Sequence, residues 1–436
     1  MYFVLMHYLY TFSLRLYFAA LWIASFFNPR AKAWIQGRKD WKKELAGKIR
    51  KIHEDASQSN AIDDASLRDE IHDIVWFHCA SLGEFEQGRP IIEELLSRFP
   101  RYKIIVSFFS PSGYAIRKNY KYASAVVYLP LDTPANARFW VQTVKPKMAF
   151  FIKYEYWFNF LIALKEQDIP VVFASATFRE DQMFFQWYGG WFRSQLESIY
   201  WFFVQNESSG KQIQSLGFEN VTITGDTRFD RVSATAATVE DFPLVKKFCG
   251  DHKLIMGGST WAEDEAVMIP LIRQAGDSIR FILATHDVSE HRIRSLESSL
   301  GMPSVRYSSL NEENALSTNI LIIDTIGVLS RLYQYASLAF IGGAFGSGLH
   351  NILEAVVFGV PVFFGPKHAK FWEAEALIEK GGAFMVKDPE EFTKLALRLF
   401  TDVKEFERTA NICFDFIEEN RGASFQIMEG AYKLLR

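Results

Sequence analysis

Gly342-Gly343-Ala344-Phe345-Gly346-Ser347-Gly348-Leu349-His350-Asn351-Ile352-Leu353-Glu354 follows the apolar run 337–341 and precedes Ala355-Val356-Val357-Phe358 and a second short apolar run, 361–364. The order reads strand, glycine loop, helix, strand. A glycine loop in that position brings backbone N–H groups close to a ligand, and the following helix start adds partial positive charge. Both suit a phosphate. The spacing is not G-x-G-x-x-G with an acidic residue about 20 positions on, so a dinucleotide is not favoured. His350, Asn351 and Glu354 form a polar set that can hold the sugar of a nucleotide. Asn351 and Glu354 also fit a capping box, with the glycines merely turning the chain. Spacing alone leaves both readings open.

The same alternation runs outward from this loop. Candidate strands lie at 254–256, 281–284, 320–323, 338–341 and 361–364, and before them at 74–78, 103–108, 125–129, 148–152, 171–174, 201–204 and 221–224. Helical patterns separate most of them, such as Ile91, Ile92, Leu95, Leu96 and Phe99. Such repetition predicts βαβ units and parallel sheets. The 436 residues exceed one typical core, so two domains are expected. The polar, Ala/Thr-rich stretch 233–241 serves as the linker, and 57–66 reads as a polar loop. The expected division is 1–29, an apolar N-terminal segment; 30–235, a first Rossmann-like domain; 236–415, a second; and 416–436, a C-terminal helix. Two doubly wound halves facing a cleft hold ligands at the carboxyl ends of their strands.

Hydrophobic residues make up 49% and aromatic residues 16% of the chain, which places it among globular proteins with apolar surface to spare. A net charge of −3 gives no basic field for nucleic acid. Cys79, Cys249 and Cys413 lack C-x-x-C spacing, so neither a zinc site nor a disulfide framework is suggested. The N-terminus departs from this average. Residues 1–27 carry one formal charge, Arg15, and no small-residue cleavage site. The length suffices for a bilayer, but Arg15 near its middle would cost about 2.5–3.5 kcal/mol. A helix lying in one leaflet is therefore favoured over a full span. Arg30, Lys32, Arg38, Lys39, Lys42, Lys43, Lys48, Arg50 and Lys51 follow, a block that stays cytoplasmic and attracts anionic head groups. The competing reading is an amphipathic helix packed on the protein itself.

Six further loops at strand ends can carry chemistry. In Ser81-Leu82-Gly83-Glu84, Glu84 is placed to take a proton from a hydroxyl, or to close a capping box with Ser81. Pro90 suggests that the regular helix starts near Arg89, leaving Glu84 in the loop. Lys153-Tyr154-Glu155 sets charge beside aromatics, for a polar ligand or a structural ion pair. Arg228 in Gly225-Asp226-Thr227-Arg228-Phe229-Asp230 offers a fork to phosphate or carboxylate, or pairs with Asp226 or Asp230. Gly257-Gly258-Ser259-Thr260 opens another anion-binding turn, and Thr260 with Glu263 also fits a capping box. Thr285-His286-Asp287 can contact a phosphate or base, though an isolated histidine is often structural. Ile326-Gly327-Val328 can present backbone to a nucleobase edge. None of these loops has metal-ligand spacing.

In order and spacing, these loops resemble the 3-deoxy-D-manno-oct-2-ulosonic acid (Kdo) transferases of lipopolysaccharide assembly, from about residue 15 to about residue 400. Ser81-Leu82-Gly83-Glu84 is similar to the family's Ser-Val-Gly-Glu, Gly225 to Asp230 to Gly-Ser/Asn-Leu-Lys-Phe-Asp, Gly258-Ser259-Thr260 to Gly/Thr-Ser-Thr, Asp324-Thr325-Ile326-Gly327 to Asp-Thr-Met-Gly, and His350-Asn351-Ile352-Leu353-Glu354 to His-Asn-Pro-Leu-Glu. Gly365-Pro366-Lys367-His368 continues the match. The resemblance implies a B-type glycosyltransferase fold (GT-B) with an N-terminal anchor helix, at the cytoplasmic face of the inner membrane. It implies CMP-Kdo as donor, bound by the domain 236–415, a lipid A precursor as acceptor, bound by the domain 30–235, an anchor in 1–29, inversion of the anomeric centre, and neither cofactor nor bound metal. Glu84 becomes the general base, with Arg228 and Lys153 as further catalytic positions. Ser259, Thr260, Thr285, His286, Ile326, Gly327, Val328, Gly343, Asn351, Ile352, Leu353 and Glu354 become the nucleotide site. Two departures stand out: Lys153 occupies the place of a glutamate, and Thr285 that of an arginine. Another nucleotide-sugar transferase, a UDP-sugar 2-epimerase-like enzyme and a degenerate lipid-binding homologue are the alternatives.

Overall fold

The computed structural model describes residues 2–59, 74–346 and 348–435. The chain folds into two compact units, one of Met1–Arg231 with Gly422–Arg436, the other of Val232–Arg421. The first holds β1 (Ile74–Cys79), β2 (Lys103–Phe108), β3 (Ala125–Tyr128), β4 (Met148–Ile152), β5 (Val171–Ala176), β6 (Trp201–Val204) and β7 (Val221–Ile223). These form a seven-stranded sheet in the order β3-β2-β1-β4-β5-β6-β7. Neighbours run parallel throughout. The second unit holds β8 (Lys253–Thr260), β9 (Ile279–Thr285), β10 (Val305–Arg306), β11 (Ile320–Ile323), β12 (Leu338–Ile341), β13 (Val362–Phe364) and β14 (Ala383–Met385). Its order is β10-β11-β9-β8-β12-β13-β14, also parallel.

Helices cover both faces of each sheet, which is why the central strands read as unbroken apolar runs. Along β1, Trp76 joins one core with Trp140, Phe151 and Phe160, while Val75 and Phe77 join the opposite core with Phe150 and Met148. Every residue of β1 is buried. The short edge strands β10 and β14 fall outside the sequence expectation, since two or three residues cannot display a period. β5 and β8 run further than expected, each continuing through an irregularity that holds Ser175 or Ser259 at positive φ.

Three expected boundaries differ. The stretch 233–241 is helical up to Ala237, because the helix Thr227–Ala237 runs across the division between the units. The stretch 57–66 is helical to Ser59, and its remainder lies outside the described residues. The last expected segment, 416–436, breaks after the helix Val403–Asn420, where Gly422 takes φ 106°. The helix that follows, Ala423–Leu435, belongs to the first unit and buries Ile427, Met428, Ala431 and Leu435 in the core beside β1 and β4. Asp230 accepts from Gly422 N at 2.5 Å and Ser424 N at 2.6 Å, capping that helix from a distant part of the sequence.

The N-terminal helix is Tyr2–Ala24. Met6 and Tyr10, one turn apart, pack on the core of the first unit. Phe3, Leu5, Tyr8, Leu9, Phe12, Leu16 and Trp22 are exposed. Among the described residues, no helix is long and apolar enough to cross a membrane. Within the basic flank, Arg38 does not face solvent. It is buried, donates to Leu129 O at 2.8 Å and Phe109 O at 2.6 Å, and lies over the Trp34 ring.

Candidate active site

In each sheet the strand order reverses once, between β1 and β4 and between β8 and β12. Loops leaving the carboxyl ends of strands at such a reversal diverge to opposite faces and open a crevice. In the first unit those loops carry Glu84 after β1 and Lys153-Tyr154-Glu155 after β4. In the second they carry Ser259 and Thr260 at the end of β8, and Gly342 to Glu354 after β12.

Glu84 lies in the first turn of the helix Leu82–Arg98, not in a loop. Pro90 sits inside that helix rather than at its start. Ser81 N donates to Glu84 Oε2 at 2.8 Å, and Glu84 N to Ser81 Oγ at 3.4 Å, so the capping box is real. The box does not exhaust the carboxyl group. Glu84 also meets the Glu155 side chain, and burial together with the Glu155 charge pushes its pKa up to about 7. Glu155, itself raised by burial, accepts the indole N–H of Trp157 at 2.7 Å. His78 Nε2 stands 3.7 Å from the same oxygen, and burial lowers the imidazole pKa to about 3, so the ring is neutral. Ser107 Oγ accepts from Trp76 Nε1 at 2.8 Å and lies 2.9 Å from His78 Nδ1. The two carboxyl groups thus meet in one buried site, where the Glu155 charge adds to burial in raising the Glu84 pKa.

The Arg228 guanidinium is held by Asp226, with Nε at 2.8 Å and Nη2 at 2.7 Å from Oδ2. Asp226 is buried, while 27% of the Arg228 side chain remains accessible. The ion pair therefore aims the arginine. Asp230 serves elsewhere, as the cap described above. Lys153 takes φ 68° directly after β4, and its Nζ lies 5.5 Å from the centre of the Tyr154 ring. Among the described residues, Ser175 at 56° and Ser259 at 53° share this left-handed backbone at the ends of strands. Strain of this kind persists where the surroundings over-determine the backbone, and it gathers at functional sites.

In the second unit, Gly342 could not carry a Cβ, which would meet Ser259 O and stand 2.6 Å from Thr260 Cα. Gly343 has φ 96°. Asp264 Oδ2 fixes the loop, accepting from Gly343 N at 2.9 Å and Trp261 N at 2.8 Å. Asp264, not Glu263, thus partners the start of the helix Ala262–Ala275, and Thr260 belongs to β8 and donates to Glu265 at 2.8 Å. The helix after the glycine loop is a single turn, Leu353–Val356, shorter than the sequence suggested. Its dipole is small, and the N–H groups of Gly342, Gly343, Gly346, Gly348 and His350 are engaged by acceptors within the protein. Asn351 Nδ2 donates to Glu354 at 3.2 Å, and Leu353 N donates to Asn351 Oδ1 at 3.2 Å. Ile352 and Leu353 are buried.

His286 stacks between Trp261, at 4.7 Å, and His350, at 4.5 Å. Trp261 Nε1 donates to His350 Nε2 at 3.3 Å, and burial with the neighbouring His286 lowers the His350 pKa. Thr285 is buried and donates to Asp287 O at 2.7 Å. Ile326 is exposed, and Gly327 takes φ 90°. Sequence reasoning did not single out Glu155, Trp261 or Asp264 as site residues. Glu155 stood in a charged loop, but its pairing with Glu84 arises only when β1 and β4 become neighbours.

Residues 43–231 match the family model described as 3-Deoxy-D-manno-octulosonic-acid transferase (kdotransferase). These residues are a Kdo transferase family domain. The match ends at Arg231, where the first stretch of the first unit also ends. A 3-deoxy-D-manno-octulosonic acid transferase of Rickettsia bellii is 26% identical over 362 residues, 80% of this chain and 85% of that protein. That of Haemophilus influenzae is 26% identical, over 81% of this chain and 86% of its own length. A bifunctional glycosyltransferase/methyltransferase of Fusobacterium nucleatum is 27% identical over 84% of this chain, and the chain spans 58% of it. The Kdo transferase domain and these relatives make the chain a glycosyltransferase. A UDP-GlcNAc 2-epimerase of Neisseria meningitidis shares the fold, with a TM-score of 0.61, 16% identity, and coverage of 83% of this chain and 100% of its own.

Proposed function

We propose that the chain transfers Kdo from CMP-Kdo to a hydroxyl group of a lipid A precursor, with inversion and without a metal. The observation that carries the reading is the Glu84–Glu155 carboxyl pair at the β1/β4 reversal, inside the matched family domain. A carboxylate with a pKa near the working pH suits a general base. Glu84 takes the acceptor hydroxyl's proton as its oxygen attacks the anomeric carbon of Kdo. The bond from that carbon to the phosphate oxygen breaks, and CMP leaves with the electron pair. Arg228, aimed by Asp226, and Lys153 offset the charge that gathers on the leaving phosphate or the sugar carboxylate. The nucleotide rests on the second unit, with the Gly342–Gly343 loop and the His286–His350 stack at the phosphate, Glu354 and Asn351 at the ribose, and Ile326 to Val328 at the base.

The exposed apolar side of Tyr2–Ala24 supports attachment to the cytoplasmic face of the inner membrane, where a lipid acceptor resides. High salt should leave the protein on vesicles, because apolar burial is not screened. Release by salt alone would assign the attachment to the basic flank. The central experiment supplies purified protein with CMP-Kdo, made in situ, and a tetraacyl lipid A precursor, read by mass spectrometry. A mass gain of one or more Kdo units, undiminished by EDTA, is expected. No gain with active donor present would reject the reading.

A further inference from the structure

Asp132, in the loop after β3, is fully buried, yet its carboxylate is well supplied with donors. Oδ2 accepts the Tyr10 hydroxyl at 2.6 Å and Asn159 N at 3.1 Å, and Oδ1 accepts Phe160 N at 3.0 Å. Asn159 Nδ2 donates to Asp132 O at 2.6 Å. Asp132 therefore caps, from another part of the chain, the helix Phe158–Lys165 that follows the Lys153–Trp157 loop. One of its donors comes from the N-terminal helix. The Tyr10 ring also sets its edge on Phe158 at 5.1 Å and leans on Trp191 at 5.6 Å. From Phe158 the chain steps back to Trp157, which holds Glu155 and lies 4.6 Å from Phe109 and 5.6 Å from His78.

We propose that Tyr10 is a positioning residue: through Asp132 it seats the helix Phe158–Lys165, and with it the loop that sets Glu155 against Glu84. The N-terminal helix is thereby a working part of the reactive loop and not only a tether, so turnover depends on its seating even when no bilayer is present. The inference rests on the proposed reaction for its kinetic consequence, but not for its structural one.

The test compares full-length protein with Tyr10→Phe, which keeps the ring on Phe158 and Trp191 and removes only the hydroxyl. Hydrogen exchange at the Asn159 and Phe160 amides should quicken by up to about tenfold, the scale of one ordinary hydrogen bond. With acceptor dispersed in detergent, kcat for transfer should fall by a similar factor while KM for CMP-Kdo stays put. Asp132→Asn, which keeps one acceptor oxygen, should fall in the same direction. Wild-type exchange and wild-type kcat in Tyr10→Phe would overturn the inference. Absence of transfer by the wild-type protein would instead reject the proposed reaction, and the exchange measurement would still decide whether Tyr10 holds the loop. A rise in KM for donor with kcat unchanged would also overturn it, since that would place Tyr10's effect on donor binding.

Discussion

Glu84 holds two positions at once, as cap of its own helix and as half of a carboxyl pair. Burial, reinforced by Glu155, keeps its proton up to a pH of about 7. A base must be ionised, so kcat/KM should rise about tenfold per pH unit well below that value and level off above it. Glu155→Gln removes the like charge and should move the midpoint down. An unmoved midpoint would show that burial alone sets it. Glu84→Gln should preserve donor binding and lower transfer by several orders of magnitude, and near-normal turnover would leave Glu84 only its capping role. On the second unit, Glu354→Ala should weaken CMP binding in calorimetry by about 1–3 kcal/mol. Glu84, Arg228 and Glu354 could be nominated from the sequence because each falls in a motif that follows a strand. The meeting of Glu84 with Glu155 could not, because it depends on which strands become neighbours.

At the scale of elements, nearly every central strand was legible, since a strand buried on both faces is an apolar run between turn signals. Helix starts were less so. Pro90 suggested a late start for the helix Leu82–Arg98, yet the capping box sets that start at Leu82. The turn Leu353–Val356 ends early because the chain reverses at Gly359, with φ 70°, to enter β13. The glycine loop is accordingly held by Asp264 more than by any helix. Asp264→Ala would leave the buried N–H of Gly343 and the half-buried N–H of Trp261 unpaired, at a cost of about 1–3 kcal/mol for the buried one. A lower melting temperature together with weaker CMP binding is expected. A lower melting temperature with CMP affinity intact would separate the loop from the nucleotide.

At the scale of the whole molecule, the two-sheet plan followed from length and alternation, and the return of the last helix to the first unit did not. No local pattern announces a partner so distant in sequence. Its apolar stripe was visible, but Phe203 and Tyr102, which receive Gly430 and Leu435, are set apart from it by the entire second unit. The N-terminal helix raises the same difficulty: its composition suggested a lipid partner, while the polar contact of Tyr10 with Asp132 was hidden. Removing residues 2–27 should therefore increase solubility yet lower kcat on detergent-dispersed acceptor. Unchanged kcat would return the helix to a purely adhesive role.

The returning helix also imposes an order of events on the ribosome. A nascent chain that has released residues 1–231 has made both edges of the first sheet but lacks Ile427, Met428 and Leu435 on one face. That face stays open while the whole of the second unit is synthesised, which exposes it to holdase chaperones and to misassociation. Chains arrested before Gly422 should be cut by protease within β1 to β4, and chains released past Leu435 should resist. The second unit, folding in between, has no such debt to chain not yet made.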